Sequence, residues 1–439
     1  MLRIAGTRFY PVLTPLRPYG EATPHREDLM KQERIDIPSA VALTDPNRES
    51  EDEIIDRALD AVRSHLDMPI AYLCEIVDDR TIFRHVSAPG LEHLIHRGNS
   101  YALDEVYCGH ILAGNLPNLI PDTGALPLAR EMPITAAVPI GSHASLPIHR
   151  ADGSIYGTLC CLSPAPNPGL NPRDLNTMRL FAELAAEQVR TRLARRQTHE
   201  EIANRIKAVI AAREWKMAFQ PIYTLSDGKL SSFEALSRFR SDPYRTPDLW
   251  FSDAAQVGRK PDLEVAVIET ALRALDELDQ GVRLSVNAAP DTVSTGGLAP
   301  IFARFGAERI TLEVTEHERC NDFDRFAAAV STIRRQGTLV AIDDVGAGYS
   351  GLHQILRLNP DILKLDMSLV RDIHIDPARR SLVSAMVHFA SETGAQLTAE
   401  GIECEEERDV LRDLGVRYGQ GYFLGRPGEV SDAADTDPG

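Results

Sequence analysis

Several scarcities in this chain narrow its class. Of 439 residues only 6% are aromatic, and 28 prolines and 29 glycines are too few for a collagen-like or low-complexity chain. The six cysteines (Cys74, Cys108, Cys160, Cys161, Cys320, Cys404) include no CxxC pair and no metal-ligand spacing, so they read as reduced thiols. No stretch approaches the roughly 18 consecutive apolar residues of a membrane helix. The N-terminal MLRIAGTRFYPVLTPLRPYGEATP lacks the continuous apolar run of a signal peptide, so a cytoplasmic location is expected. Basic charge is also short: 47 Lys and Arg face 64 Asp and Glu, a formal net charge of −17. That balance argues against a protein that coats nucleic-acid polymers. It leaves room for a small anionic ligand held through metal ions. What is present, 43% hydrophobic and 25% charged residues, is ordinary globular material for two or three domains.

Proline and charge dominate residues 1–48, which are expected to form a poorly ordered arm. A first folded unit over 49–194 begins with EDEIIDRALDAVRSHL, apolar at helical spacing, followed by the strand-like PIAYLCEIV. Later, AAVPIGSHASLPIH and SIYGTLCCLS flank Ala151-Asp152-Gly153, a hairpin signal. The unit closes with an amphipathic helix carrying Leu175, Met178, Phe181, Leu184 and Val189. Its pattern continues, interrupted by the polar Arg195–Asn204, through Ile202, Ile206 and Val209. Residues 195–213 are expected to be a coupling helix whose stripe pairs with a second copy, giving a homodimer.

Over 214–430 strand-like runs recur: MAFQPIY, SFEALSRF, RLSVNAA, ITLEVTE, TLVAIDD, ILKLD, QLTAEGI and GYFLGRP. Helical stretches separate most of them, which predicts an α/β barrel. Only Ser226-Asp227-Gly228 lies between the first two runs, so they are expected to pair antiparallel. Residues 431–439 read as a flexible tail.

The strand ends carry the chemistry. Nearly every barrel run ends in a carboxylate, amide or lysine: Glu234, Asn287, Glu313 with Glu316, Asp343 with Asp344, Lys364 with Asp366, Glu400 with Glu403, and Gln420. Such ends converge on one face of an α/β barrel. Crowded carboxylates there need cations or protons, and an all-oxygen donor set suits Mg2+ or Mn2+ rather than zinc. Alternation along a strand turns one of Asp343 and Asp344 inward, and a carboxylate bridging two ions suits a two-metal site.

Read together, Glu234-Ala235-Leu236 with Ser237-Arg238, Gln220-Pro221-Ile222, SVN ending at Asn287, LEVTE ending at Glu316, KLD from Lys364 to Asp366, AEGIE from Ala399 to Glu403 and GQGYFLGRP from Gly419 resemble the EAL-domain cyclic-di-GMP phosphodiesterases. The resemblance covers Trp215 to Pro427. It implies metal-dependent hydrolysis of cyclic-di-GMP to linear pGpG on a modified TIM-type (β/α)8 barrel with one antiparallel strand. By that resemblance Glu234, Asn287, Glu313 and Asp343 ligate one Mg2+ or Mn2+ ion. Asp343 and Asp344 hold a second, with Glu400 nearby. Lys364 and Glu400 orient and deprotonate the attacking water. Gln220, Leu236, Arg238, Asp366, Glu403 and Gln420 hold substrate, Arg238 through a phosphate, and Glu316 braces the loop after Asp344. The alternative is a catalytically weak barrel that binds the nucleotide and signals to a protein partner. No GGDEF motif is present, so nucleotide synthesis is not expected. One departure from the family's DDFGTG stands out, since Asp343 to Gly348 reads DDVGAG, with Val345 and Ala347 in a loop linked to dimer contacts.

The first unit resembles GAF sensory domains, an α+β fold. The match rests on the helix from Glu51, YCGHILAGNLPNLIPD (Tyr107 to Asp122), and DGSIYGTLCCLS before the closing helix. His110, Cys108 and the Cys160-Cys161 pair read as structural, with one of the pair in the core. The resemblance implies regulation of the barrel but names no GAF ligand, and no organic cofactor is expected in the barrel.

Overall fold

The computed structural model describes residues 50–241, 244–315, 322–346 and 357–430. The expected arm and tail, together with Glu316, Cys320 and Ala347, lie outside the described residues. Contacts divide the chain into two compact units, at Ala194 and Arg195. Among the described residues no helix is long and apolar enough to cross a membrane.

In the first unit a six-stranded sheet has the order β3-β2-β1-β6-β5-β4. Its strands are β1 (Ile70–Val77), β2 (Arg80–Ser87), β3 (Ser100–Ala102), β4 (Leu119–Ile120), β5 (Ser142–His149) and β6 (Ile155–Ser163), all antiparallel to their neighbours. Helix α1 (Glu51–His65) starts where Ser50 and Glu53 form a reciprocal capping box, and Glu51, Asp52 and Glu53 in its first turn complement the helix dipole. Its apolar face, Ile55, Leu59 and Val62, packs on one side of the sheet. The other side is covered too, by a short helix α2 (Tyr107–Leu112) and the surrounding loops. This double cover corrects the expectation for the cysteine pair. Cys160 and Cys161 point to opposite faces, yet both are fully buried, Cys161 under α1 and Cys160 under α2.

Helix α3 (Pro172–Ala212) runs without a break through the polar stretch at which the domain boundary was expected. Residues 194–201 are exposed, and the i,i+4 pairs Arg196–Glu200 (2.9 Å) and Gln197–Glu201 (3.0 Å) support the helix where packing does not. Several apolar positions of the helix pack within the chain. Met178, Phe181 and Val189 pack on the first sheet. Ile202, Ile206 and Val209 pack with Trp215, Phe239 and Trp250 of the second unit.

The second unit is a closed eight-stranded barrel, order β10-β11-β12-β13-β14-β7-β8-β9. Its strands are β7 (Trp215–Thr224), β8 (Leu230–Phe239), β9 (Arg283–Asn287), β10 (Ile310–Thr315), β11 (Leu339–Val345), β12 (Ile362–Leu365), β13 (Gln396–Ala399) and β14 (Tyr418–Gly419). As the short Ser226-Asp227-Gly228 connection dictates, β7 runs antiparallel to β8, and also to β14. All other neighbours are parallel. GYFLGRP was expected to be a strand, but β14 stops at Gly419 and the segment turns. A Cβ at Gly421 would lie 2.2 Å from the backbone N and O of Ile402, so the chain crosses there at a separation only glycine permits. Helices α4 (Pro247–Gln256) and α5 (Lys260–Leu272) follow β8 and shape the mouth of the barrel.

Candidate active site

The site is built from residues at or just past the C-terminal ends of the parallel strands, plus the middle of the antiparallel pair. Register does the assembly. Glu234 of β8 lies opposite Gln220 of β7 and beside Ser285 of β9, and Asn287 of β9 lies beside Glu313 of β10. Inward positions two apart on β8 place Glu234, Leu236 and Arg238 on one side of the strand.

Lys364 stands at the centre, fully buried. Its Nζ lies 2.6 Å from Glu400 Oε1, 2.7 Å from Glu313 Oε2, 3.1 Å from Asp343 Oδ1 and 3.3 Å from Glu234 Oε2. Asn287 donates to Glu234 Oε1 at 2.9 Å, and Gln420 Nε2 donates to Glu234 Oε2 at 2.8 Å and Gln220 Oε1 at 3.0 Å. Gln220 in turn donates to the carbonyl of Gly425, tying the turn after β14 to the site.

The Asp343-Asp344 pair departs from simple alternation. Ile342 pairs with Leu363, but Val345 pairs with Leu365, so β11 carries one extra residue. Asp344 absorbs it in a left-handed conformation, φ 59°, which Asp tolerates better than most residues. This β-bulge re-aims a side chain at a functional edge. Consequently both acids face the site: oxygens of Asp343, Asp344 and Glu400 lie within 4.8 Å of one another, as do those of Glu234, Glu313 and Asp343. The expectation that one would face inward is corrected by this bulge. Val345 itself is buried in the barrel core.

Electrostatics follow from four carboxylates sharing one ammonium. Burial disfavours charge on Lys364, but the carboxylates around it outweigh burial and raise its pKa well above the usual lysine value. Burial pushes the Glu313 carboxyl well above the carboxylate range, with Glu234 and Asp343 adding to it. Burial likewise raises Glu400, to about 8, against the pull of Lys364. For Glu234 the burial penalty is more than offset by Lys364, Gln420 and Asn287, which hold it below the ordinary value. The cluster thus keeps protons where a second cation is lacking.

Two of the expected binding acids are engaged elsewhere. Asp366 caps the turn Met367–Val370 through Ser368 N at 3.0 Å, and Glu403, exposed, pairs with Arg371 at 2.6 Å. Arg238 is exposed at the end of β8 and donates to Ser237 O. A cavity of about 440 Å3 opens beside Asn287 and Glu313, lined also by Asp248, Phe251, Lys260 and Glu264. A second of about 240 Å3, sharing Phe251 and Asn287, is lined by Leu236 and Arg238. Glu264 was missed in the sequence. It is a buried acid that accepts from Ala289 N at 3.0 Å, beside Asn287. The signal was an acid within the apolar stripe Leu263, Val267, Ile268 of α5.

A model of the EAL domain matches residues 203–427, half of the chain, and a GAF domain model matches 48–189. The chain belongs to the EAL domain family. Among curated relatives it is 30% identical over 209 residues to the protein named probable cyclic di-GMP phosphodiesterase PdeA of Escherichia coli K12, covering 45% of this chain and 29% of that one. It is 28% identical over 245 residues to cyclic di-GMP phosphodiesterase NbdA of Pseudomonas aeruginosa, covering 53% and 31%. The chain spans about a third of the length of the curated relatives it matches. The solved structure of EAL enzyme Bd1971, bound to cAMP and cyclic-di-GMP, covers 83% of this chain and 92% of its own at TM-score 0.51 and 19% identity, a likeness of fold.

Proposed function

We propose that the barrel hydrolyses cyclic-di-GMP to linear pGpG, using divalent ions of the Mg2+ or Mn2+ type. The observation that carries this reading is the convergence of four carboxylates on the buried Lys364 ammonium, with Asn287 on Glu234 and Asp344 beside Asp343 and Glu400. The donors are all oxygen, from side chains that stay charged or protonated only at a cost, which fits hard cations. Glu234, Asn287, Glu313 and Asp343 would hold one ion; Asp343 and Asp344 would hold the other, with Glu400 beside them. Bound there, such ions supply Lewis acidity to a phosphodiester oxygen and offset its charge.

The chain's own groups do the rest. Lys364, fixed by Glu313 and Glu400, donates a hydrogen bond that positions the attacking water. Glu400, beside it, takes the water's proton. Arg238 at the cavity edge offers a planar fork to a phosphate. Leu236 presents an apolar edge to the nucleotide, and Phe251, on α4, lines both cavities where a base face could stack. Gln420 holds Glu234 in place and is itself held by Gln220. Asp366 and Glu403, held by Ser368 N and Arg371, reach substrate only after exchanging those partners. The GAF unit would adjust turnover.

The test is direct: full chain, Mg2+ or Mn2+, cyclic-di-GMP, and chromatographic separation of the products. Linear pGpG is the expected product. Tight nucleotide binding without turnover would make the barrel a receptor for a protein partner instead, and retention of all these acids disfavours that outcome.

A further inference from the structure

The core of the first unit contains a polar nest that neither the sheet nor the barrel chemistry explains. Register places it on one face of the sheet. Cys160 of β6 lies directly opposite Tyr72 of β1 and Ser145 of β5, and His143 and Cys74 sit diagonally beside it. Cys108 of α2 closes over them, its Sγ 3.3 Å from Cys160 Sγ. A ring nitrogen of His143 and the sulfurs of Cys108 and Cys160 all lie within 4.8 Å of one another, and all three residues are fully buried. Tyr72 approaches both His143 Nε2, at 3.5 Å, and Cys108, at 3.7 Å. Ser145 and Thr158 hydroxyls lie 3.2 Å from Cys160 Sγ.

Thiols pack well as small apolar groups, which accounts for any one of these cysteines. It does not account for the imidazole. His143 is wholly buried, and its Nδ1 has no hydrogen-bond partner, a costly omission for a ring nitrogen in a core. The sulfur separation is too long for a disulfide, about 2.05 Å. It is within about half an ångström of the roughly 3.8 Å between two thiolates that share a tetrahedral ion at 2.3 Å.

We propose that Cys108, Cys160 and His143 form a binding site for a soft divalent cation of the Zn2+ type inside the first unit. Two sulfurs and one imidazole are zinc donors. Cys74, bonded to Thr158 at 3.0 Å and in contact with Cys108, is the nearest further sulfur. The ion would tie α2 to β5 and β6, three elements that the chain brings together from 52 residues apart, so its uptake would stabilise the unit. Its donors differ in kind from the oxygen set of the barrel, which makes the two sites separable by spectroscopy.

The experiment uses the full chain, reduced and stripped of metal, then titrated with Co2+ as an optical probe. Thiolate-to-cobalt charge transfer in the near ultraviolet, with tetrahedral bands in the visible, is expected at one equivalent per chain, and Zn2+ should bleach it. All-oxygen barrel ligands give no such band. Cys160→Ala and Cys108→Ala should lose it, whereas Cys161→Ala, next in the strand but on the opposite face, should keep it. Cys404→Ser should also keep it, which separates the site from His374, Cys404 and Glu407 in the other unit. Because a buried variant can misfold, the wild-type chain is also decisive: the melting transition of the first unit should rise with Zn2+ and not with Mg2+. Absence of the charge-transfer band in the folded wild-type chain would overturn the proposal. So would its survival in Cys160→Ala, or a Cys108–Cys160 disulfide that forms in air and leaves Zn2+ uptake unchanged.

Discussion

The two buried polar clusters of this molecule contrast in chemistry and in placement. The barrel cluster is oxygen throughout, sits at strand ends, and borders cavities of about 440 and 240 Å3. The cluster of the first unit is sulfur and imidazole, sits in the middle of a sheet, and is sealed beneath α2. Placement follows from fold. A barrel brings the ends of its parallel strands to one face, so acids can converge there while remaining reachable by a ligand. An antiparallel sheet covered on both sides brings together only mid-strand positions, which are dry. A dry site suits an ion that stays in place, and an open one suits ions that meet a substrate.

The strongest way to sharpen this contrast is to remove one oxygen donor. Glu234→Ala or Asp343→Ala should lower hydrolysis by about 10²-fold to 10⁴-fold, since each withdraws several kcal/mol of transition-state stabilisation. Product assays at saturating nucleotide would check it, and near-parental turnover in either variant would break the metal assignment. EDTA should act likewise with Mg2+ or Mn2+ restoring the rate, and Ca2+ should bind without supporting turnover well, given its looser geometry. Glu400→Gln should reduce kcat by about 10²-fold or more while leaving KM within a few-fold, the pattern of a proton acceptor. An equal loss of binding would make Glu400 a structural support.

Lys364 gives an effect of intermediate size. Replacing it with Met leaves four buried carboxylates without their cation, a loss of about 3–5 kcal/mol in the metal-free barrel. The melting temperature should fall accordingly and recover when Mg2+ is added. A drop that Mg2+ leaves unchanged would show that the ammonium and the ions do not share one charge balance.

How far these clusters could be read in the sequence differs for the same reason that their placement does. Asn287, Glu313, Asp343, Lys364 and Glu400 lie at or near the ends of strand-like runs, so barrel topology predicts that they meet, whereas Glu234 sits mid-strand and was marked by its motif. Asp344 was ambiguous because alternation allows only one inward acid, and the bulge at Ile342–Val345 is invisible in composition. Glu264 was hidden inside a helical stretch, among the buried Leu263, Val267 and Ile268. GYFLGRP reads as a strand by its residue types, but Gly421 serves a close crossing at Ile402 and Gly425 one against Pro221. The sulfur nest is illegible from spacing: Cys108, His143 and Cys160 come from three elements, and only strand register aligns them. Helix α3 kept its pattern through the exposed residues 194–201 because the i,i+4 pairs Arg196–Glu200 and Gln197–Glu201 sustain it there.

A smaller effect concerns pH. With its carboxyl pushed up to about 8, Glu400 holds a proton at neutral pH in the metal-free protein. A divalent ion bound beside it favours the ionised carboxylate and displaces that proton, so apparent affinity should rise by up to about tenfold per pH unit below pH 8 and level off above it. Calorimetric titration in buffers of different ionisation heat would count the released proton. In Glu400→Gln the slope should flatten, and an unchanged slope would assign the proton to another group, with Glu313 the next candidate.

The smallest expected effect comes from removing the first unit. Residues 195–439 contain the whole barrel core, and the Ile202, Ile206 and Val209 face packs with Trp215, Phe239 and Trp250 inside the same unit. That fragment should therefore fold, and every acid of the oxygen cluster lies within it. Its hydrolysis rate should differ from that of the full chain by several-fold and less than about tenfold, since a regulatory unit acts through a coupling of about 1–3 kcal/mol at most, not through a ligand to the reacting phosphate. Side-by-side turnover of fragment and full chain at fixed Mg2+ measures the difference. If the two rates coincide, the GAF unit serves another purpose. If the fragment is inactive although folded by circular dichroism, the site depends on a group outside the barrel, and the separation of the molecule into an open oxygen centre and an independent sealed sulfur one fails.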